Sequence, residues 1–152
     1  MLKPDPIPER CVIETSVTKI KVEANARRAV FDNADRATVQ IIDVDCWISG
    51  SEELKADCIV VKPQVVDIVV ELKGSDIRHA IRQIIATSQR WRSASGNSDM
   101  IGGLIVFTHS PESSASLANK KRALLSKNRI YLEVGKNRKA EYRFVTFTGK
   151  KV

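Results

Sequence analysis

A chain of 152 residues with a net charge of +7 and 43% hydrophobic residues is long enough for one domain with a real core and too short for two ordinary ones. No run approaches the roughly 18–20 apolar residues of a membrane span, and the N-terminus has no signal-peptide h-region, so a soluble, cytoplasmic protein is expected. Cys11, Cys46 and Cys58 lack CxxC spacing, which points to buried reduced thiols rather than disulfides or zinc.

The Pro-rich start, residues 1–10, reads as a flexible tail ahead of a single domain over 11–152. Cys11 to Val22 is expected to be extended, although neither set of alternate residues makes a clean apolar face. Glu23 to Phe31 fits helix and strand equally. Asp32-Asn33-Ala34-Asp35 is a turn, rich in residues that bond their own backbone. Thr38 to Ile48 reads as a strand, broken by Ser49-Gly50-Ser51. Two apolar runs follow, Ala56 to Val61 and Val65 to Leu72, joined by Pro63, Gln64 and Val65 as a hairpin loop. Ser75 or Asp76 caps the best helix of the chain, with Ile77, Ala80, Ile81, Ile84, Ser88 and Trp91 on one face. Ser93 to Asp99 is a polar loop, Ile101 to Thr108 a buried strand, and Ser113 to Ser126 a basic helix. Gly102-Gly103, inside an apolar run, reads as a close-packing site and not a phosphate loop. Ile130 to Val134 and Glu141 to Thr148 are expected to close the chain as a hairpin.

The chemistry concentrates on the hairpin. Alternation places Asp67, Val69, Glu71 and Lys73 on one side of the second strand. A register in which paired residue numbers sum to 128 sets Asp57 against Glu71, Ile59 against Val69, Val61 against Asp67 and Lys62 against Val66. Two opposed carboxylates about 4.5–5.5 Å apart repel unless a cation lies between them. Oxygen-only ligands suit Mg²⁺ or Mn²⁺, with the Leu72 backbone carbonyl as a third protein oxygen. Lys73 then orients or helps to deprotonate water and offsets charge developing on a phosphodiester. Asp67 reads as an edge charge or solvated strand end and not a ligand. The two histidines, His79 and His109, read as an exposed helix residue and a loop residue.

Asp57, thirteen intervening residues, then Glu71-Leu72-Lys73 and a helix resembles the PD-(D/E)xK nuclease superfamily, which includes restriction endonucleases and Holliday junction resolvases. Ala56 stands where the name of that family has Pro. The resemblance spans roughly residues 55 to 92. It implies an α/β fold with a restriction endonuclease-like core, a mixed central β-sheet flanked by helices. It also implies a metal-dependent nuclease acting on DNA in repair, recombination or defence. Gln83, with Thr87 one turn on, would support the site. Glu23, Asp45, Glu52 and Glu53 compete for the acidic position that many members place upstream.

The charge is uneven. Residues 1–75 carry 10 Lys/Arg against 13 Asp/Glu, net −3, and residues 76–152 carry 15 against 5, net +10. A basic half beside such a motif suits a phosphate backbone, with Arg78, Arg82, Lys120, Lys121 and Arg122 as expected contacts. The resemblance leaves room for a homodimer. The alternative is a non-catalytic nucleic-acid- or protein-binding module on the same fold.

Overall fold

A computed structural model describes residues 7–24, 27–50, 54–72, 76–107, 112–136 and 141–149, without the side chains of 112–118, 120 and 136. The strands are β1 (Val12–Thr15), β2 (Lys19–Ala24), β3 (Arg27–Asp32), β4 (Val39–Asp43), β5 (Cys58–Lys62), β6 (Val66–Leu72), β7 (Ile101–Phe107), β8 (Ile130–Lys136) and β9 (Tyr142–Arg143), and the helices are α1 (Val44–Trp47), α2 (Ile77–Ser95) and α3 (Glu112–Lys127). The chain is therefore mixed α/β. No helix among the described residues is long and apolar enough to cross a membrane.

Six strands form the central sheet in the order β1-β4-β5-β6-β7-β8. The first three pairings are antiparallel, and β6–β7 and β7–β8 are parallel. A parallel neighbour needs a crossover, which α2 and α3 supply. The β5–β6 register is the expected one, with Ile59↔Val69, Val61↔Asp67 and Lys62↔Val66. Its loop closes through Val65 N–H to the Lys62 carbonyl at 3.0 Å. Pro63 precedes Gln64, which has φ +67°, and that succession is what a type II turn requires.

The pleat sorts the central strands into two cores. Ile59, Val61, Val69 and Ile105 pack with Ile81, Ile84 and Trp91 of α2 and Leu125 of α3. Val60, Ile68, Val70, Leu104 and Val106 face the other way, onto Ile20, Val22, Ala29 and Phe31. The expected flanking by helices thus holds on one face only. A three-stranded sheet, β2-β3-β9, covers the other.

α2 starts where Asp76 accepts from His79 N–H at 3.1 Å and runs to Ser95, three residues into the expected loop, with Gly96 at φ +76° as its cap. The chain terminus departs further from expectation. β9 pairs in parallel with β3 instead of forming a hairpin with β8, and Phe144–Thr148 is a 3-10 helix. Phe144 and Phe147 explain it: three residues apart, they eclipse in a 3-10 turn and point the same way, whereas a strand would send them to opposite faces. Both are buried, and the Phe144 ring stacks on Phe31 at 5.4 Å. Gly102 makes room for this turn, since a Cβ there would sit 2.6 Å from the Phe147 Cβ. The close-packing reading of that glycine is the one observed.

Expecting three reduced thiols was wrong for two of them. Cys11 and Cys46 form a disulfide with Cα atoms 5.4 Å apart, a bond that persists where thiols are oxidised. Sequence spacing conceals the pair because the β1–β4 ladder, Val12↔Ile42, brings its two flanks together. Cys58 is free and buried, as expected. Ile7 packs against the helical core and Glu9–Cys11 forms a 3-10 turn, so residues 7–10, expected in a flexible tail, belong to the fold.

Candidate active site

The candidate site lies where β5 begins and β6 ends. Regular pairing stops at Cys58↔Val70, one residue short of Asp57. Asp57 instead donates its N–H to the Val70 carbonyl at 3.0 Å and accepts the Leu72 N–H on Oδ2 at 2.7 Å. It is thereby bonded to both neighbours of Glu71. Its own carbonyl accepts from Val44 N–H at 3.2 Å, which ties it to α1. Glu71, only 3% exposed, shares the helix-facing side of β6 with Val69 and Asp67 by alternation. Lys73 and Lys120's side chain lie outside the described residues, as do His109, Glu52 and Glu53.

α2 meets this hairpin with a line of polar groups one turn apart. Gln83 Nε2 donates to the Lys55 carbonyl at 2.8 Å, and Thr87 Oγ1 accepts the Ala56 N–H at 2.8 Å. Trp91 Nε1 donates to Asp67 Oδ2 at 2.7 Å, joined there by Asn97 Nδ2 at 2.7 Å. Asp67 is therefore neither an edge charge nor a solvated strand end: β6 is central, and the carboxylate anchors α2. Gln83 is buried, and its Oε1 has no hydrogen-bond partner among the described residues. The amide orientation follows from chemistry, because only the nitrogen can donate to a carbonyl.

Cys58 registers the local field. Burial first, and then Asp57, Asp43 and Glu71, push its thiol far above the usual range. Asp43 is thus an acidic neighbour that sequence reasoning did not name. It faces Cys58 across the β4–β5 ladder and caps α1 by accepting the Cys46 N–H at 3.2 Å. In the sequence it lies inside the stretch read as a strand, Thr38 to Ile48, which the structure ends at Asp43 and continues as α1, so no local signal marks it. Of the upstream acids considered, Asp45 pairs with Lys55 at 3.0 Å, and Glu23 lies opposite Arg28 in the smaller sheet.

Asp57 and Glu71, with the Leu72 carbonyl the oxygen donors expected for a hard cation, lie at the adjoining ends of β5 and β6. The Asp57 carboxylate keeps acceptor capacity beyond its one N–H bond, and the unbonded Gln83 Oε1 adds an acceptor on the same helix line. Among the described residues no three His, Cys, Asp or Glu side chains converge as a metal-binding group, so waters and substrate oxygens would have to complete the shell, as Mg²⁺ prefers. Arg78 and Arg82 are exposed on α2, Arg122 is exposed on α3 with Nε bonded to Asn119, and Lys121 is half-buried. The two helices pack side by side on one sheet face. Compared with family models, curated proteins and solved structures, the chain matches none.

Proposed function

We propose that the chain is a metal-dependent nuclease of the PD-(D/E)xK type, hydrolysing phosphodiester bonds of DNA. The observation that carries the reading is Asp57 bonded on both sides of Glu71, at the end of a central strand, with Gln83 holding the Lys55 carbonyl two residues before Asp57. The order of strand, hairpin, helix, strand and helix, with β6 and β7 parallel, is the order a restriction endonuclease-like core requires. A Mg²⁺ or Mn²⁺ ion at Asp57, Glu71 and the Leu72 carbonyl would supply charge to the phosphoryl oxygens and acidify water. Asp57 is held for that task by the Leu72 N–H, which fixes one carboxylate oxygen and leaves the other. Lys73, two residues beyond Glu71 in the sequence, orients the attacking water and neutralises charge on the phosphodiester. Gln83 steadies the segment that leads into Asp57. Arg78, Arg82, Lys120, Lys121 and Arg122 attract the backbone of the substrate.

The test is cleavage of single-stranded, duplex and branched DNA with Mg²⁺ or Mn²⁺, set beside the same substrates in RNA. Wild type cleaves at least one of them only with the ion, and Lys73→Ala abolishes cleavage while retaining fold and most of the binding. Equal cleavage by Lys73→Ala, or activity that survives excess EDTA, refutes the assignment. Salt-sensitive binding without cleavage under any of these conditions would favour a non-catalytic nucleic-acid-binding module.

A further inference from the structure

We infer that Thr87 is a positioning residue that sets Asp57 through a clamp on a single peptide plane. The Lys55 carbonyl and the Ala56 N–H belong to the same peptide unit. The described chain has no cis peptide bond, so these two groups point in opposite directions. Gln83 Nε2 holds one and Thr87 Oγ1 the other, both at 2.8 Å. Residues four apart on a helix lie above one another, separated by a rise of about 6 Å. That spacing lets one helix face reach both edges of the plane and fix its rotation.

The Thr87 hydroxyl serves here as an acceptor, a role separate from that of its O–H as a donor. A buried serine or threonine within a helix commonly bonds back to a carbonyl three or four residues earlier. Ser88, the next residue, does so, donating to the Ile85 carbonyl at 2.7 Å. Thr87, with no exposed surface at all, accepts on its oxygen from a segment 31 residues away in sequence. The need arises from Ala56. Proline at this position would bring no N–H. Alanine brings a donor, and at 2% exposure that donor requires a partner inside the protein. Thr87 is that partner.

Downstream of the clamp the chain runs into Asp57, whose N–H, carbonyl and carboxylate are all bonded. Rotation of the 55–56 plane would therefore be transmitted to the Leu72 N–H···Oδ2 bond. The catalytic consequence of this positioning rests on the nuclease reading. The clamp itself does not.

Hydrogen exchange of the Leu72 amide, normalised to the Ile105 amide of the central sheet, reads the clamp directly in wild type, Thr87→Val and Thr87→Ser. Loss of one buried hydrogen bond corresponds to about tenfold in a local equilibrium, so Thr87→Val lowers Leu72 protection by about tenfold relative to Ile105. Thr87→Ser, which keeps the oxygen, restores most of it. Gln83→Met releases the opposite edge of the plane and lowers protection of the same amide, which keeps the test informative should Thr87→Val fail to fold. Mn²⁺ titration by electron paramagnetic resonance then reads the functional consequence, with weaker binding in Thr87→Val and recovery in Thr87→Ser. Leu72 protection unchanged relative to Ile105 in Thr87→Val overturns the inference. Wild type that binds no Mn²⁺, alongside selective loss of Leu72 protection in Thr87→Val, removes the metal reading and leaves the clamp standing.

Discussion

Breaking the Cys11–Cys46 bond should lower stability by an amount the topology allows to be worked out. The two cysteines are 35 residues apart and enclose β1 to β4. Loop-closure entropy for that length is about 13 cal/mol/K, or about 4 kcal/mol at room temperature, as an upper figure because measured values often fall short. A chain of 152 residues unfolds with an entropy of about 0.3 kcal/mol/K. A loss of roughly 2–4 kcal/mol thus lowers Tm by roughly 6–12 °C. Four β1–β4 pairs remain, so the reduced protein stays folded. The assay is thermal unfolding of wild type and of the Cys11→Ser/Cys46→Ser variant, with and without a phosphine reductant. Tryptophan emission reports the relevant region, because both tryptophans, Trp47 of α1 and Trp91 of α2, meet edge to face at 6.4 Å. Wild type should match the variant once reduced, and the variant should ignore the reductant. Denaturation without reductant should expose one thiol per chain, Cys58. Three thiols under those conditions, or a Tm that reduction leaves within 1 °C or so, would refute the reasoning.

Gly102→Ala places a Cβ against the root of the Phe147 side chain, which cannot swing aside; the expected cost is about 1–3 kcal/mol by urea denaturation, and an unchanged midpoint would show that the terminal 3-10 helix yields freely. Asp35 is held below the ordinary carboxyl range first by the Lys62 ammonium at 2.8 Å and then by the Ala37 N–H. A depressed carboxyl contributes stability above its unfolded value, 3.8, and loses it as pH falls through the folded value, so Asp35→Asn should flatten the acid limb of a Tm–pH profile and leave no such slope near neutrality. Neutralising Arg82 together with Lys121 should weaken nucleic-acid binding across sequences and flatten the plot of log K against log[salt] by roughly one unit per lost contact; loss confined to one sequence would contradict a backbone role.

What the sequence made legible was local. The β5–β6 register follows from period-2 alternation and a three-residue loop, and it survives in every pair from Lys62↔Val66 to Cys58↔Val70. α2 follows from its cap and its apolar stripe. The failures share one cause, which is a partner distant in sequence. Asp67 reads as a solvated charge until Trp91 and Asn97 fold onto it. The aromatic stretch Phe144 to Thr148 reads as a strand until Phe31 offers a surface that a 3-10 turn meets with both phenylalanines. Asp43 reads as a residue inside a strand from Thr38 to Ile48, because nothing local shows that β4 ends there or that Asp57 and Glu71 share its surroundings.

The polar seam on α2 resolves a tension between stability and precision. Gln83, Thr87 and Trp91, at i, i+4 and i+8, lie along an otherwise apolar face built on Ile77, Ala80, Ile81 and Ile84. A wholly apolar seam would stabilise the packing about as well, since a typical buried hydrogen bond contributes a net of only about 1 kcal/mol. It would also tolerate sliding. Three polar groups aimed at Lys55, Ala56 and Asp67 do not, because a shift of α2 by one turn, about 5.4 Å, would leave all three bonds broken, and each unsatisfied group costs about 1–3 kcal/mol. The seam therefore fixes the helix in register over the hairpin. Asp57 directly follows the Lys55–Ala56 peptide that the seam grips, so the bonds that decide where α2 sits also hold the backbone leading into Asp57.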